Sequence, residues 1–271
     1  MRALLERIPT PQQYYRLTGA SFRALCPEKS GHMNMGLWPA ATLRAGQEGL
    51  IGLAFRSACE LLDRQGIARP RGVLDLGCGW GGTGRLWSEA FPLVPYFGVN
   101  ASAEQVAAAR AHTRQSARSE QIRYLLARAE DDDLPWAEVD LAISIEAMFH
   151  FADKARIIQA MTPHVKGAVL LEICVENRRV IDNPLLTPSL HSAWTTAQYA
   201  QAFAGNGWSR VRIDDIGTNV FDGFLEYVRA IDEAAYDGRR AILRQLVEAS
   251  QALAEAHARG DLRYVSVVAD K

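Results

Sequence analysis

The ten residues from Val73 to Gly82 constrain this chain more than any other segment. An apolar β-type run ends at Leu76 and a helix candidate starts at Gly82. Gly77, Gly79, Gly81 and Gly82 therefore fall where strand gives way to helix, a place where peptide N–H groups point at a ligand. Lacking Cβ, the glycines let that ligand approach the backbone. Gly77, Gly79 and Gly82 also satisfy the G-x-G-x-x-G spacing, which suits more than one class of nucleotide. Asn100 shifts the balance. It stands eighteen residues after Gly82, where a dinucleotide site usually carries Asp or Glu to hold the ribose. An amide can bond ribose hydroxyls without charge.

Around this loop the hydrophobic period alternates. Short β-type runs at 72–76, 96–99, 122–126, 139–145 and 168–174 are separated by helix candidates at 82–91, 103–116 and 154–165. Such alternation implies parallel strands with crossover helices. A helix at 196–204, a strand at 211–216, a helical stretch at 224–258 and a strand at 264–268 follow. The expected architecture is α/β: Rossmann-like, doubly wound, with a mostly parallel seven-stranded sheet. Residues 1–68 read as a helical N-terminal cap of the same domain, and 69–271 as the core, with a cap inserted around 180–205.

Composition narrows the partners. Lys plus Arg number 30 and Asp plus Glu 31, so no basic field favours nucleic acid and a small molecule is the expected partner. Cys26, Cys59, Cys78 and Cys174 are scattered without a CxxC pair, as in a reducing compartment. Charge in the first seven residues argues against an export signal, and no long apolar run suggests a membrane span. The expected setting is cytoplasmic, as monomer or homodimer.

With these residues in view, Val73–Gly82 resembles the first motif of class I S-adenosylmethionine (SAM) dependent methyltransferases. Gly98–Gln105 is similar to the second-strand motif of their small-molecule, sterol and natural-product branch, where Asp, Thr or Asn precedes a small residue and Ser-x-x-Gln. Ser102 and Gln105 also fit a helix capping box. Ala129 and Glu130, followed by Leu134, Pro135 and Trp136, resemble the family's adenine-covering loop, though Arg128 stands where Asp is usual. The acidic run 131–133 reads as a solvated turn, and no metal is expected. The resemblance implies SAM as cofactor, held by Tyr15, Asp75, Gly77, Cys78, Gly79, Asn100, Ala101, Gln105, Ala129, Glu130 and Ile145.

Methyl transfer from a sulfonium needs an aligned acceptor and one base. Ser144 to Lys154 resembles the branch's Ser-x-Glu-x-x-x-His-x-x-Asp-Lys motif, which points to Glu146 and His150. If the chain continues from strand four as a helix, these two share a face. Glu172 ends the neighbouring strand and can accept from one His150 nitrogen, fixing the tautomer. The expectation is a His150–Glu172 dyad as general base, with Glu146 lining the acceptor site. His32, His112, His164, His191 and His257 are read as surface or cap residues. Tyr14, Tyr15 and the 32–38 segment resemble the branch's N-terminal elements, with His and Asn exchanged. Trp38 is a lid aromatic by this resemblance. Leu185, Leu186, Leu190, Trp194 and Tyr199 lie where this fold inserts acceptor cover, and Trp194 is a candidate substrate contact. The acceptor is then a small apolar or aromatic natural product or lipid-like molecule, methylated on O, N or C. The same fold serves cyclopropane-type lipid enzymes and SAM-binding proteins that transfer no methyl, pericyclic catalysts among them.

Overall fold

The computed structural model describes residues 31–114, 118–131, 133–183, 186, 190–231 and 240–271. Seven strands form one sheet: β1 (Val73–Leu76), β2 (Tyr96–Asn100), β3 (Ile122–Leu126), β4 (Leu141–Ile145), β5 (Gly167–Val175), β6 (Arg210–Asp215) and β7 (Leu262–Asp270). Their order is β3-β2-β1-β4-β5-β7-β6. Strands β1 to β5 run parallel, and β7 is antiparallel to both neighbours. The last strand thus returns into the gap between β5 and β6, and six of the seven strands share one direction. Every residue of β5 is buried, as expected for a strand covered on both faces, whereas edge strand β6 is largely exposed or half-buried.

Side-chain alternation along the strands feeds two apolar layers. Val169, Leu171 and Ile173 of β5 join Leu50, Ala54 and Leu61 of helix α1 (Leu43–Arg64) on one face. The same layer takes Trp87 of α2 (Gly82–Ala90) and Val106 and Ala109 of α3 (Ala103–Thr113). On the other face, Ala168 and Leu170 meet Ile157, Ile158 and Met161 of α4 (Lys154–Met161) and Tyr199 and Phe203 of α5 (Thr196–Gly205). The caps are legible in the sequence. Thr42 accepts from Ala45 N, Asp153 from Arg156 N, and Thr195 with Gln198 closes a reciprocal capping box.

Within the segment read as an N-terminal cap, α1 lies directly on β4, β5 and β7, because its Leu and Ala positions repeat at three to four residues and find the sheet as their nearest apolar surface. Within 180–205, α5 sends Tyr199 and Phe203 into the core. The helical stretch at 224–258 is divided into α6 (Gly223–Arg229), entered through a wide turn at Thr218–Asp222, and α7 (Arg240–Ala258). Tyr14, Tyr15, Cys26, Asp132 and Leu185 lie outside the described residues. Among the described residues, no helix is long and apolar enough to cross a membrane.

Candidate active site

The chain leaves β1 toward β2 and β3, then returns to β4 on the opposite side. Parallel α/β sheets bind ligands in the crevice at such a reversal, beyond the carboxyl ends of the strands. A cavity of about 330 Å³ opens there, at the lower end of the range for small-molecule sites. Gly77 and Gly79, Asn100 to Ser102, Gln105, Ala127 to Glu130, Ile145 to Ala147 and His150 to Ala152 all line it. Met33, His191 and Ser192 complete the walls from distant segments.

The glycine loop shapes this cavity differently from a phosphate cradle. Gly77 N and Cys78 N both donate to Val99 O, at 2.9 and 3.1 Å, Gly81 N donates to Cys78 O, and Gly82 N to Gly31 O. Four N–H groups that might have faced a ligand are therefore consumed inside the protein. A nucleoside without phosphates suits such a loop better than a dinucleotide, whose pyrophosphate needs those donors. Gly77 is also sterically required. Its φ is +86°, and a Cβ there would sit 2.3 Å from Ala147 Cβ. At Gly79 the nearest atom to a Cβ would be Met33 Sδ, at 3.6 Å, so that glycine leaves space for a ligand.

At the end of β2, Asn100 Nδ2 donates to Gln105 Oε1 at 2.7 Å and Asn100 Oδ1 accepts from Ser102 N at 2.9 Å. Ser102 caps α3 as expected, accepting from Gln105 N. The Gln105 side chain does not close the capping box. It turns toward Asn100 and Met33 instead, its Nε2 lying 3.5 Å from Met33 Sδ. Ala129 and Glu130 line the neighbouring wall. Glu130 accepts from Ala152 N and lies 3.6 Å from Arg128 Nε.

Asp75 and Cys78 are placed elsewhere. Asp75 is fully buried beneath the loop and accepts from the Tyr96 hydroxyl, and burial pushes its carboxyl up to about 7. Neither residue lines the cavity; both side chains are buried in the core beneath the loop. Cys78 presses against Gly98, where a Cβ would come 2.9 Å from its Sγ.

Beyond β4 the chain does not continue as an α-helix. Glu146 N still bonds Leu171 O at 2.8 Å, and then a φ of +51° turns the backbone sharply into the short turn Met148–His150. A residue with a Cβ pays about 1–2 kcal/mol for that conformation, so surrounding contacts must hold it. Glu172 supplies them from below. Its Oε1 accepts from Ser144 Oγ at 2.7 Å and Met148 N at 3.0 Å, and its Oε2 accepts from Phe149 N at 3.1 Å. Among the described residues, no hydrogen bond joins Glu172 to His150, so the expected direct dyad is replaced by a carboxylate that pins the loop carrying His150. The cause is the short turn, which aims the Met148 and Phe149 amides, beside Ser144 Oγ of β4, at a fully buried acid.

Glu146 is held from above. Its Oε1 accepts from Met35 N at 2.9 Å and from the Tyr264 hydroxyl at 3.0 Å. Burial pushes its carboxyl up to about 8, only partly offset by these two bonds, and the Glu172 charge adds to the rise. Burial likewise raises Glu172 to about 7. An unfolded chain loses the Glu146 proton near pH 4.5 and the folded one keeps it to about 8. The folded state therefore binds more protons across that interval, and stability present below pH 4.5 is lost as pH rises. Urea midpoints are expected to fall from about pH 5 to about pH 8, with a shallower fall in Glu146→Gln. A midpoint that climbs over this range contradicts that assignment.

The two tryptophans are both set back from the cavity. Trp38 is buried, donates from Nε1 to Met35 O at 2.9 Å, and stacks on Tyr227 with centroids 4.7 Å apart. It packs the 31–38 segment onto α6 rather than covering a ligand. Trp194 meets Tyr199 edge-on and carries the Lys154 ammonium 5.6 Å from its ring centre. Lys154 Nζ also donates to Phe151 O and Ser192 O, at 2.7 and 2.6 Å, and so ties the insertion to the His150 loop. Reading the sequence missed Met33, Ser192 and His191 as wall residues. Polar side chains in the otherwise apolar 184–203 segment were the available signal for the latter pair.

Residues 73–167 match the family model described as a methyltransferase domain. Together with the sheet order and the glycine loop, that match supports the resemblance to class I SAM-dependent methyltransferases. Ajmaline N-methyltransferase from Rauvolfia serpentina is 30% identical over 135 residues, 48% of this chain and 46% of that protein. The aligned segment thus spans less than half of the curated relative. Among solved structures, a candidate sarcosine dimethylglycine methyltransferase from Galdieria sulphuraria superposes with a TM-score of 0.78 at 15% identity, covering 95% of this chain and 98% of that one. Geranyl diphosphate C-methyltransferase from Streptomyces coelicolor A3(2), solved with Mg2+, geranyl diphosphate and S-adenosylhomocysteine, gives 0.71 at 17%, covering 97% and 98%. These two likenesses establish the fold.

Proposed function

We propose that this protein transfers a methyl group from SAM to O, N or C of a small, apolar or aromatic natural-product or lipid-like acceptor. One observation carries the reading: a single cavity joins the nucleoside-type walls of Gly77, Gly79, Asn100, Gln105, Ala129 and Glu130 to the Glu146–His150 loop. SAM, when bound, supplies an electrophilic methyl on a sulfonium. The open face at Gly79 and the Asn100–Gln105 amides suit its nucleoside, and Ile145 and Phe151 offer apolar surface. In this reading His150 takes the acceptor's proton, Glu172 positions it through the loop, and Glu146 lines the acceptor end.

Calorimetry with SAM tests the first half. The chain is expected to bind SAM, and Gly79→Leu, which places a side chain in the cavity, is expected to weaken binding by about tenfold or more. Equal affinity in that variant would remove the nucleoside from this wall. Labelled SAM incubated with extracts, followed by mass analysis of labelled product, tests the transfer. Tight SAM binding without S-adenosylhomocysteine release under any acceptor would indicate a non-transferring protein.

A further inference from the structure

We propose that the acceptor is an amine bound as its cation, and that Glu146 is the residue that recognises it; this rests on the methyl-transfer reading above. Both protein hydrogen bonds to the Glu146 carboxylate fall on Oε1. Oε2 is left to the cavity that the residue lines. Among the described residues, no lysine or arginine makes an ion pair with Glu146. A carboxylate enclosed by protein is costly to ionise without a countercharge, and with none among the described residues a cationic ligand would supply one.

The other charges of the site point the same way. Glu130 and Arg128 lie 3.6 Å apart and offset each other. The Lys154 ammonium is spent on the Phe151 and Ser192 carbonyls and the Trp194 ring. Glu146 is therefore the cavity's one uncompensated acid. Against the ionised form of Glu146, a carboxylate or phosphate acceptor would meet like charge, and a neutral phenol would bring no countercharge to draw off its proton. An ammonium satisfies it, while Ile145 and Phe151 take the apolar substituents.

The chemistry balances. A secondary ammonium ion-paired to Glu146 gives one N–H proton to the His150 imidazole, which also lines the cavity. The freed nitrogen lone pair forms the new N–C bond as the C–S bond breaks with its electrons on sulfur. The product is again a cation and keeps its pairing with Glu146 until release. Titratable groups facing Glu146 are Tyr264 from β7 and Glu172 from β5. Since burial holds the carboxyl protonated to about pH 8, amine binding at neutral pH is expected to release part of a proton.

The test uses the full chain loaded with S-adenosylhomocysteine, titrated calorimetrically with pyrrolidine, tetrahydroisoquinoline and dibenzylamine, and with phenols and carboxylic acids of matched size. At least one amine is expected to bind about tenfold or more tightly than its phenol and acid counterparts. Its binding enthalpy should vary with buffer ionisation, reporting the released proton. Glu146→Gln, which keeps an acceptor for Met35 N and Tyr264, is expected to abolish both the preference and the buffer dependence, with SAM affinity unchanged. The inference is overturned if no amine binds, if phenols or acids bind equally well, or if Glu146→Gln retains the preference. It is also overturned if that variant loses SAM affinity, which would assign the carboxylate to the sulfonium. Failure of SAM to bind the native chain is a separate result, and it overturns the methyl-transfer reading together with this one.

Discussion

Replacing His150 by alanine is expected to lower turnover by about 10²-fold or more, the usual contribution of a positioned acid–base group, while SAM affinity stays at the native level. The separation follows from position. His150 sits at the end of the Met148–His150 turn, while the amides and glycines on the nucleoside side belong to the loop after β1, to β2 and to α3. Its backbone N–H bonds Ala147 O at 3.0 Å, a contact that alanine preserves, so the turn is expected to survive. Single-turnover kinetics at saturating SAM, with calorimetry on the same preparation, provide the check. Native turnover in His150→Ala would exclude this imidazole as the base. A parallel loss of SAM affinity would instead assign it to the cofactor.

Glu172→Ala is expected to cost about 3 kcal/mol of stability, because it leaves the buried donors on Ser144 and Phe149 without their acceptor and Met148 N with Ser144 Oγ alone. For a chain of this size that corresponds to a melting temperature lower by roughly 6–10 °C. Turnover should fall as well, since the loop that presents Glu146 and His150 loses its anchor, and a misplacement of about 1 Å can cost about 10²-fold. Glu172→Gln provides the contrast. Its carbonyl can still receive Ser144 Oγ and Met148 N, but its amide NH₂ would face Phe149 N–H, so an intermediate loss of stability is expected. A direct His150 partner would behave differently: Glu172→Gln would then match His150→Ala in lost turnover with no change in melting temperature. Native stability in Glu172→Ala would refute the anchoring role.

The legible parts of the fold were those written in local periodicity. Strand β3 has the expected bounds, and α2 and α4 start where expected, because alternation, caps and glycine turns act within a few residues. The seven-stranded, mostly parallel sheet followed from their alternation. The role of α1 was not legible: an amphipathic helix shows which face it buries, but not whether sheet or ligand lies beneath it. Within the site, Asn100, Ala101, Gln105, Ala129, Glu130, Ile145, Glu146 and His150 line the cavity. Asp75, Cys78, Trp38 and Trp194 do not. Each is adjacent in sequence to the right region but points into packing, a choice set by partners from elsewhere in the chain.

By itself, then, the sequence determined the order of elements, the glycine turn after β1 and the segments that border the crevice, since each depends on short-range geometry. Only the tertiary structure decided what the acids do. Glu146 meets Met35 and Tyr264 across 111 and 118 residues of chain, and Glu172 meets the loop 23 to 28 residues before it. Such contacts form when the sheet assembles and α1 closes over it, so no local pattern records them. The same closure leaves Glu146 on the cavity wall, hydrogen-bonded through Oε1 and with no lysine or arginine ion pair among the described residues.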